Sequence, residues 1–258
     1  FSFLSKLLRK KQNIRAPLII KHCINNNFDI IVFQEVFDLN IRRKLMKELK
    51  DSYPYQVKPF KGNKAFVSNG ILIISKVPLK YIDHIIFKPG VTADRFAAKG
   101  CTLVEAQKDG STIQIAGTHL QAGKSEKAQI QRDMQYSDIH RLLERNKTQT
   151  IPVILLGDLN TKKSNSKDYS KMLECISMKD PTIKNKKLYT FDSNNYWNKN
   201  ASSSQLDYIR IQHRKTDSRI VNTKILKPKF MFKGNQIDLS DHYAISAEII
   251  FTKNSDPS

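Results

Sequence analysis

Ile151-Pro152-Val153-Ile154-Leu155-Leu156-Gly157-Asp158-Leu159-Asn160 is a short apolar run that ends in a glycine and two polar residues. A continuous aliphatic run of this length, bounded by breakers, reads as a strand buried on both faces. Gly157 marks a point where the backbone turns or comes close to something. Side chains two apart on a strand share a face, so the Asp158 carboxylate and the Asn160 amide can look onto one ligand. Phosphate oxygens and a hard cation suit that pair. A simple turn would use the same residues, because Asp and Asn bond their own backbone after strands.

The run has company. Asp29 to Glu35, Ile113 to His119, Leu206-Asp207 and the segment Ser240-Asp241-His242 also set a polar, chemistry-bearing residue at the tip or start of an apolar stretch. Many strands delivering carboxylate, imidazole and amide groups imply one cleft at a sheet edge. Gln34-Glu35-Val36, Gly117-Thr118-His119-Leu120, Gly157-Asp158-Leu159-Asn160, Leu206-Asp207-Tyr208 and Ser240-Asp241-His242-Tyr243 occur in that order. This set resembles the endonuclease/exonuclease/phosphatase superfamily, the fold of DNase I. The resemblance implies an α/β, DNase I-like four-layer sandwich of two packed mixed β-sheets flanked by helices, as one domain over residues 1–258. It also implies a first strand ahead of Phe1, ending in an asparagine that assists the metal.

Glu35-Val36-Phe37-Asp38, Ser75-Lys76-Val77-Pro78, Ala97-Ala98-Lys99-Gly100 and Thr118-His119-Leu120-Gln121-Ala122 narrow the likeness. Together they resemble the neutral, Mg²⁺-dependent sphingomyelinases more than nucleases or inositol phosphatases. That likeness implies cleavage of sphingomyelin to ceramide and phosphocholine with Mg²⁺, Mn²⁺ and Co²⁺ being alternatives. By the same likeness Glu35 binds the metal, Asp241 sits on the metal side or assists through water, and His242 deprotonates water while Asp207 orients its ring. Asp158, Asn160 and His119 surround the phosphate. Lys99 lies near the substrate phosphate or a regulatory aspartate, for which Asp94 fits. As bare chemistry, a carboxylate at a strand tip is the oxygen ligand Mg²⁺ prefers, whereas Lys99 alone is an ordinary strand-edge lysine.

Composition bounds the partners. The 258 residues carry 44 Lys+Arg against 24 Asp+Glu, a formal net charge of +20. Such a charge suits nucleic acid, phosphorylated lipid or an anionic membrane, and equally a solvated lysine-rich surface. Alternatives to the sphingomyelinase reading are therefore a DNase-like or abasic-site endonuclease and a non-catalytic membrane-binding protein. Cys23, Cys101 and Cys175 are too few and too dispersed for a disulfide framework or zinc site. No run is long and apolar enough to span a bilayer. A secreted monomer acting on a sphingomyelin-containing membrane surface follows from the resemblance.

Local signals fill in the chain. Phe1 to Gln12 mixes apolar and basic residues, as in an amphipathic surface segment, a helix edge or a loop. Ala16 to Ile24 has helical spacing, with Pro17 in the first turn. Helices are expected over Leu39–Leu49 and Ser125–Arg145, the latter capped by Ser125 and buried through Ile130, Met134, Ile139 and Leu142. Lys108-Asp109-Gly110 signals a hairpin. Thr161–Lys167 and Asp192–Ser204, rich in Lys, Asn and Ser, read as flexible surface loops. Within the second, Trp197 either meets a membrane or a choline-like cation, or packs under the loop. Sphingomyelinases of bacteria carry an aromatic-tipped membrane hairpin near Lys227–Lys233, which makes Phe230 and Phe232 interfacial contacts; a buried strand explains them too.

Overall fold

The computed structural model describes residues 2–62, 65–180, 188–212 and 218–251, with side chains from Gln12 onward. In chain order the elements are α1 (Ser2–Asn26), β1 (Ile30–Phe33), α2 (Leu39–Glu48), β2 (Tyr55–Val57), β3 (Leu72–Ser75), β4 (Leu79–Ile86), β5 (Gly100–Lys108) and β6 (Ser111–His119). There follow α3 (Glu126–Arg145), β7 (Val153–Asp158), α4 (Ser166–Cys175), β8 (Asp207–Gln212), β9 (Ser218–Leu226), β10 (Lys229–Phe232), β11 (Asn235–Asp238) and β12 (Ala244–Phe251). A 3-10 turn, Thr92–Phe96, precedes β5.

The aliphatic run 153–158 is β7, inside a five-stranded sheet of order β4-β5-β6-β7-β8. Its neighbour β6 runs parallel and β8 antiparallel, so the sheet is mixed. Register decides where the chemistry falls. His119 pairs with Asp158 across β6 and β7, and Asp158 pairs with Asp207 across β7 and β8. Three adjacent strands therefore end in three titratable residues side by side at one sheet edge. Gly157 makes this possible: its φ is +152° and a Cβ there would lie 1.9 Å from the Thr118 carbonyl oxygen. Only glycine lets the two backbones close to that separation.

The second sheet is in two pieces, β1-β3-β2 and β12-β9. Among the described residues β1 hydrogen-bonds along its length only to β3, and β12 only to β9. Ile71, Ile73, Ile115, Ile154 and Ile209 fill the space between the sheets. Tyr136, Ile139 and Leu142 of α3 and Met172 of α4 cover the outer face of the five-stranded sheet, and Ile20 of α1 and Leu45 of α2 cover the other side. That is the expected α/β/β/α layering. Each fully buried Leu or Ile contributes about 1.5–3 kcal/mol. Cys23, Cys101 and Cys175 are free thiols, the first two buried.

Several local expectations shift. The first helix begins at Ser2, so Pro17 sits inside it rather than in its first turn, on the solvent side where the one carbonyl it leaves without a donor can meet water. The side chains of residues 1–11, on which a lipid-facing first segment depends, lie outside the described residues. On α3, Ile130 and Met134 are 52% and 40% exposed, and Ala128, Arg132, Gln135 and Tyr136 turn inward with Ile139 and Leu142. Polar residues occupy part of that inner face because they anchor a loop: Arg132 Nη1 donates to the Gln121 and Gly123 carbonyls, and the Gln121 N–H donates to Gln135 Oε1. The hairpin at Asp109-Gly110 has both residues at positive φ, as a tight turn of that type requires.

The segment 192–204 is not loose. Asp192, Asn195, Asn198 and Ser204 are each buried to 9% exposure or less. The Lys, Asn and Ser that read as solvated loop include donors and acceptors for a backbone with no ladder of its own. Trp197 is half-buried beneath this segment, its indole N–H donating to the Asp238 carbonyl. Phe230 and Phe232 point inward from β10 and line an apolar slot with Trp197, Tyr196, Ile14 and Ile237. The hairpin tip is Lys233-Gly234, both at positive φ, and the outward residue is Met231, 67% exposed. Phe230, Phe232 and Trp197 are thus half-buried and line one slot. Among the described residues no helix is long and apolar enough to cross a membrane.

Candidate functional site

His242 follows the short link between β11 and β12, and its Nδ1 lies 2.8 Å from Asp207 Oδ2 at the start of β8. That bond fixes the ring and leaves Nε2 as the nitrogen available to a reacting water. Burial works against the imidazolium, but the hydrogen bond and charge of Asp207, with the charges of Asp158 and Asp241, outweigh it and push the His242 pKa up to about 10. Asp158 is next to it. Burial and the Asp207 charge raise its carboxyl to about 7, opposed by His242, the Asn160 N–H and Lys99.

Asp158 and Asn160 form the turn and the site at once. The Asn160 N–H donates to Asp158 Oδ1 at 2.8 Å, with φ of Asn160 at +48°. The Asn160 side-chain amide donates to Leu120 O and to Asp158 Oδ2, both at 3.1 Å. These bonds pin the chain after β7 to the chain after β6 and leave Asn160 Oδ1 as the group that can turn to a ligand.

His119 is 3% exposed and its pKa lies well below the usual value, through burial and the neighbouring Lys99 and His242 charges, so the ring is neutral. Its Nε2 is 3.2 Å from Lys99 Nζ, 3.5 Å from Asp158 Oδ2 and 4.0 Å from Glu35 Oε1, while buried Nδ1 has no partner among the described residues. Lys99 lies beneath His119. It is 4% exposed, and its ammonium group meets Leu120 O at 2.7 Å, Asp94 Oδ2 at 2.8 Å and His119 Nε2. An ammonium has three N–H donors, and Leu120 O and Asp94 Oδ2 take two of them. Of the two roles implied for Lys99, the structure favours the pairing with Asp94, which also accepts the Ala122 N–H at 2.8 Å.

Glu35 and Asp241 are close enough to interact by charge. Glu35 has φ +59°, an uncommon conformation for a residue with a Cβ, and its side chain is 66% exposed. Its carboxyl is raised by lost solvation and by Asp241, with Lys99 and His242 pulling the other way. A carboxyl raised by a second carboxylate close by, both on open side chains, is a donor set that a divalent cation would satisfy. Asp158, Asp207 and His242 also bring ligand atoms within 4.8 Å of one another. Asp207 and His242 are bonded to each other there.

Glu35, His119, Asp158, Asn160, Asp207, Asp241 and His242 therefore converge, Lys99 supports them from below, and Phe230, Phe232 and Trp197 stay out of the cleft. Sequence reasoning missed Arg15, whose Nη1 donates to Leu239 O at 3.1 Å and whose charge interacts with Asp241 and Glu35. It also missed Thr190, Asn195 and Asn198. Their only sequence signal was an unusual density of side-chain amides around one tryptophan.

The profile of the endonuclease/exonuclease/phosphatase family matches residues 2–242. A sphingomyelinase C from Leptospira interrogans is 29% identical over 274 residues, covering 95% of this chain and 49% of its own length, so the chain spans about half of that relative. Beta toxin from Staphylococcus aureus superposes with a TM-score of 0.81 at 26% identity, covering 92% of both chains. A beta toxin variant with bound magnesium ions superposes at 0.79 and 25% identity, covering 92% of this chain and 91% of its own. A match running from the first helix to His242, on a DNase I-like sandwich whose strand ends carry the site, means that this chain belongs to the endonuclease/exonuclease/phosphatase family.

Proposed function

We propose that this protein is a divalent-cation-dependent phosphodiesterase that hydrolyses sphingomyelin to ceramide and phosphocholine. The observation that carries the reading is His242 bonded to Asp207 at 2.8 Å, beside Asp158, with Glu35 and Asp241 near enough to interact by charge. Similarity to the sphingomyelinase C of Leptospira interrogans and to beta toxin supports the substrate. The beta toxin variant with magnesium supports Mg²⁺, held by Glu35 and Asp241. When bound, the cation supplies positive charge to a phosphate oxygen and offsets the mutual repulsion of those carboxylates.

The residues divide the remaining work. In its neutral form His242 Nε2 takes a proton from the attacking water while Asp207 holds the ring and stabilises the imidazolium; the positive charge of a cation held by Glu35 and Asp241 would bring the His242 pKa down from about 10 toward neutral pH. The water oxygen attacks phosphorus as its proton goes to His242, the bond from phosphorus to the ceramide oxygen breaks, and ceramide leaves as the alcohol with a proton from solvent, to which the imidazolium then returns its own. Asn160 and neutral His119 line the phosphate side, with Asp158 holding both the Asn160 turn and the charge balance around His242. We place the enzyme outside the cell that makes it, as a monomer on a sphingomyelin-containing bilayer.

The test is turnover on sphingomyelin vesicles, phosphatidylcholine vesicles and plasmid DNA, each with Mg²⁺ and with EDTA. Phosphocholine release from sphingomyelin that stops in EDTA, with DNA intact, is the expected result. Nicked plasmid with inert vesicles would overturn the reading and make the +20 charge a phosphate-backbone track.

A further inference from the structure

Four consecutive backbone carbonyls lead into His242, and each accepts a side-chain N–H from a distant part of the chain. Trp197 Nε1 donates to Asp238 O at 2.8 Å, and Arg15 Nη1 to Leu239 O at 3.1 Å. Asn195 Nδ2 donates to Ser240 O at 2.8 Å, and Asn198 Nδ2 to Asp241 O at 2.6 Å. Residues 239–243 lie between β11 and β12, where no strand ladder sets their course. Backbone bonds hold the two ends, Leu239 N–H to Pro228 O at 3.0 Å and Tyr243 N–H to Thr190 O at 2.7 Å, and side chains hold the carbonyls between, three of them from the four-residue stretch 195–198.

The donors are themselves held. Asn195 is fully buried and its Oδ1 accepts the Trp197 N–H at 3.0 Å, so the amide is oriented at both ends. The Tyr196 N–H donates to Asp238 Oδ2 at 2.8 Å. The Arg15 guanidinium lies 5.4 Å from the Trp197 ring centroid, joining α1 to the same assembly.

The other end of this segment grips the partner of His242. Thr190 is fully buried, and its hydroxyl oxygen accepts the N–H of both Leu206 and Asp207 at 3.0 Å. Its carbonyl accepts the Tyr243 N–H at 2.7 Å, and Phe191 forms a β-bridge with His242. One residue thus ties the backbone beside Asp207 to the backbone beside His242.

We propose that the segment Thr190–Asn198 is a brace that sets the His242–Asp207 geometry, with Thr190, Asn195, Trp197, Asn198 and Arg15 as positioning residues that do not touch substrate. The kinetic part rests on the phosphodiesterase reading; the geometric part does not. Misplacing a base by about 1 Å costs on the order of 100-fold in rate, so loss of one anchor should appear in kcat rather than in KM.

The experiment compares Thr190→Val, Thr190→Ser, Asn198→Ala and Trp197→Phe with wild type and with Ile139→Val, a core change in α3 away from the brace. Turnover of sphingomyelin and of bis(p-nitrophenyl) phosphate is measured beside the downfield imidazole N–H proton resonance of the His242–Asp207 bond. Expected are a kcat about 10- to 100-fold lower in Thr190→Val and Asn198→Ala with KM within about twofold, a shifted or broadened resonance in both, and near-complete recovery in Thr190→Ser. Ile139→Val should change neither readout. Wild-type kcat and resonance in Thr190→Val and Asn198→Ala would overturn the brace, as would an equal loss in Ile139→Val. Should Thr190→Val fail to fold, Asn198→Ala and Trp197→Phe carry the same decision. Should wild type leave sphingomyelin intact, the substrate reading fails and the resonance across the variants still decides the brace.

Discussion

His242 is bonded to Asp207 at 2.8 Å, and its chemistry turns on that contact. The negative charge of Asp207 is one of the groups that raise the His242 pKa to about 10. A base must be neutral to accept a proton, so removing that charge moves the titration downward. Asp207→Asn should shift the acid limb of the kcat profile to lower pH and still lower its plateau by about 10³–10⁴, because the wrong tautomer and an unsupported ring outweigh the gain in neutral base. A pH–rate profile of the purified variant checks both changes. The residues at this scale were largely legible: an aliphatic stretch running into Asp158, His119 or Asp207 needs no structure to suggest a strand tip. Lys99 was not. Its burial and its partners come from strands and loops far apart in sequence, and desolvation is a property of the assembled fold.

At the scale of elements, period and caps gave good guidance while two stretches did not. The helix over 126–145 was evident from its spacing, but which stripe faced inward was not, because Arg132 and Gln135 have backbone carbonyls and a backbone N–H to satisfy beside the site. The stretch after Thr190 resembled solvated linker, because amides serving a ladderless backbone have the same composition as amides serving water. Asp192 offers a measure of how firmly that stretch is held. Burial would raise its carboxyl, but the Asn194 N–H, Lys227 and the Ser203 hydroxyl lower it overall. A depressed folded-state pKa stabilises above the unfolded value of about 3.9 and loses that contribution as pH falls through the folded one. Asp192→Asn should therefore cost about 1–3 kcal/mol at neutral pH and much less near pH 2. Thermal unfolding midpoints of both proteins across that range test it; equal differences at both ends would contradict the assignment.

In the whole molecule, layering explains why a cleft forms where it does. The five-stranded sheet brings His119, Asp158 and Asp207 to one edge by register alone. The remaining groups arrive from the other half: Glu35 follows β1 and His242 precedes β12. The fold class could be read from those motifs in order, whereas the inward turn of Phe230 and Phe232 depended on a partner surface, Trp197 and Ile14, that no local pattern announces.

The halves that carry Glu35 and His242 have a colloidal consequence. Each of β1 and β12 leaves a row of amides and carbonyls along one margin with no strand beside it among the described residues. Margins of this kind recruit extended chain from another molecule. Copies bearing +20 each repel one another, and that repulsion reaches about 10 Å at 0.1 M salt but only about 3 Å at 1 M. Light scattering from concentrated solutions should therefore rise as salt is added, against the usual salting-in of a basic protein, with new intermolecular β-signal in the infrared amide band. A flat trace would mean that both margins are already covered.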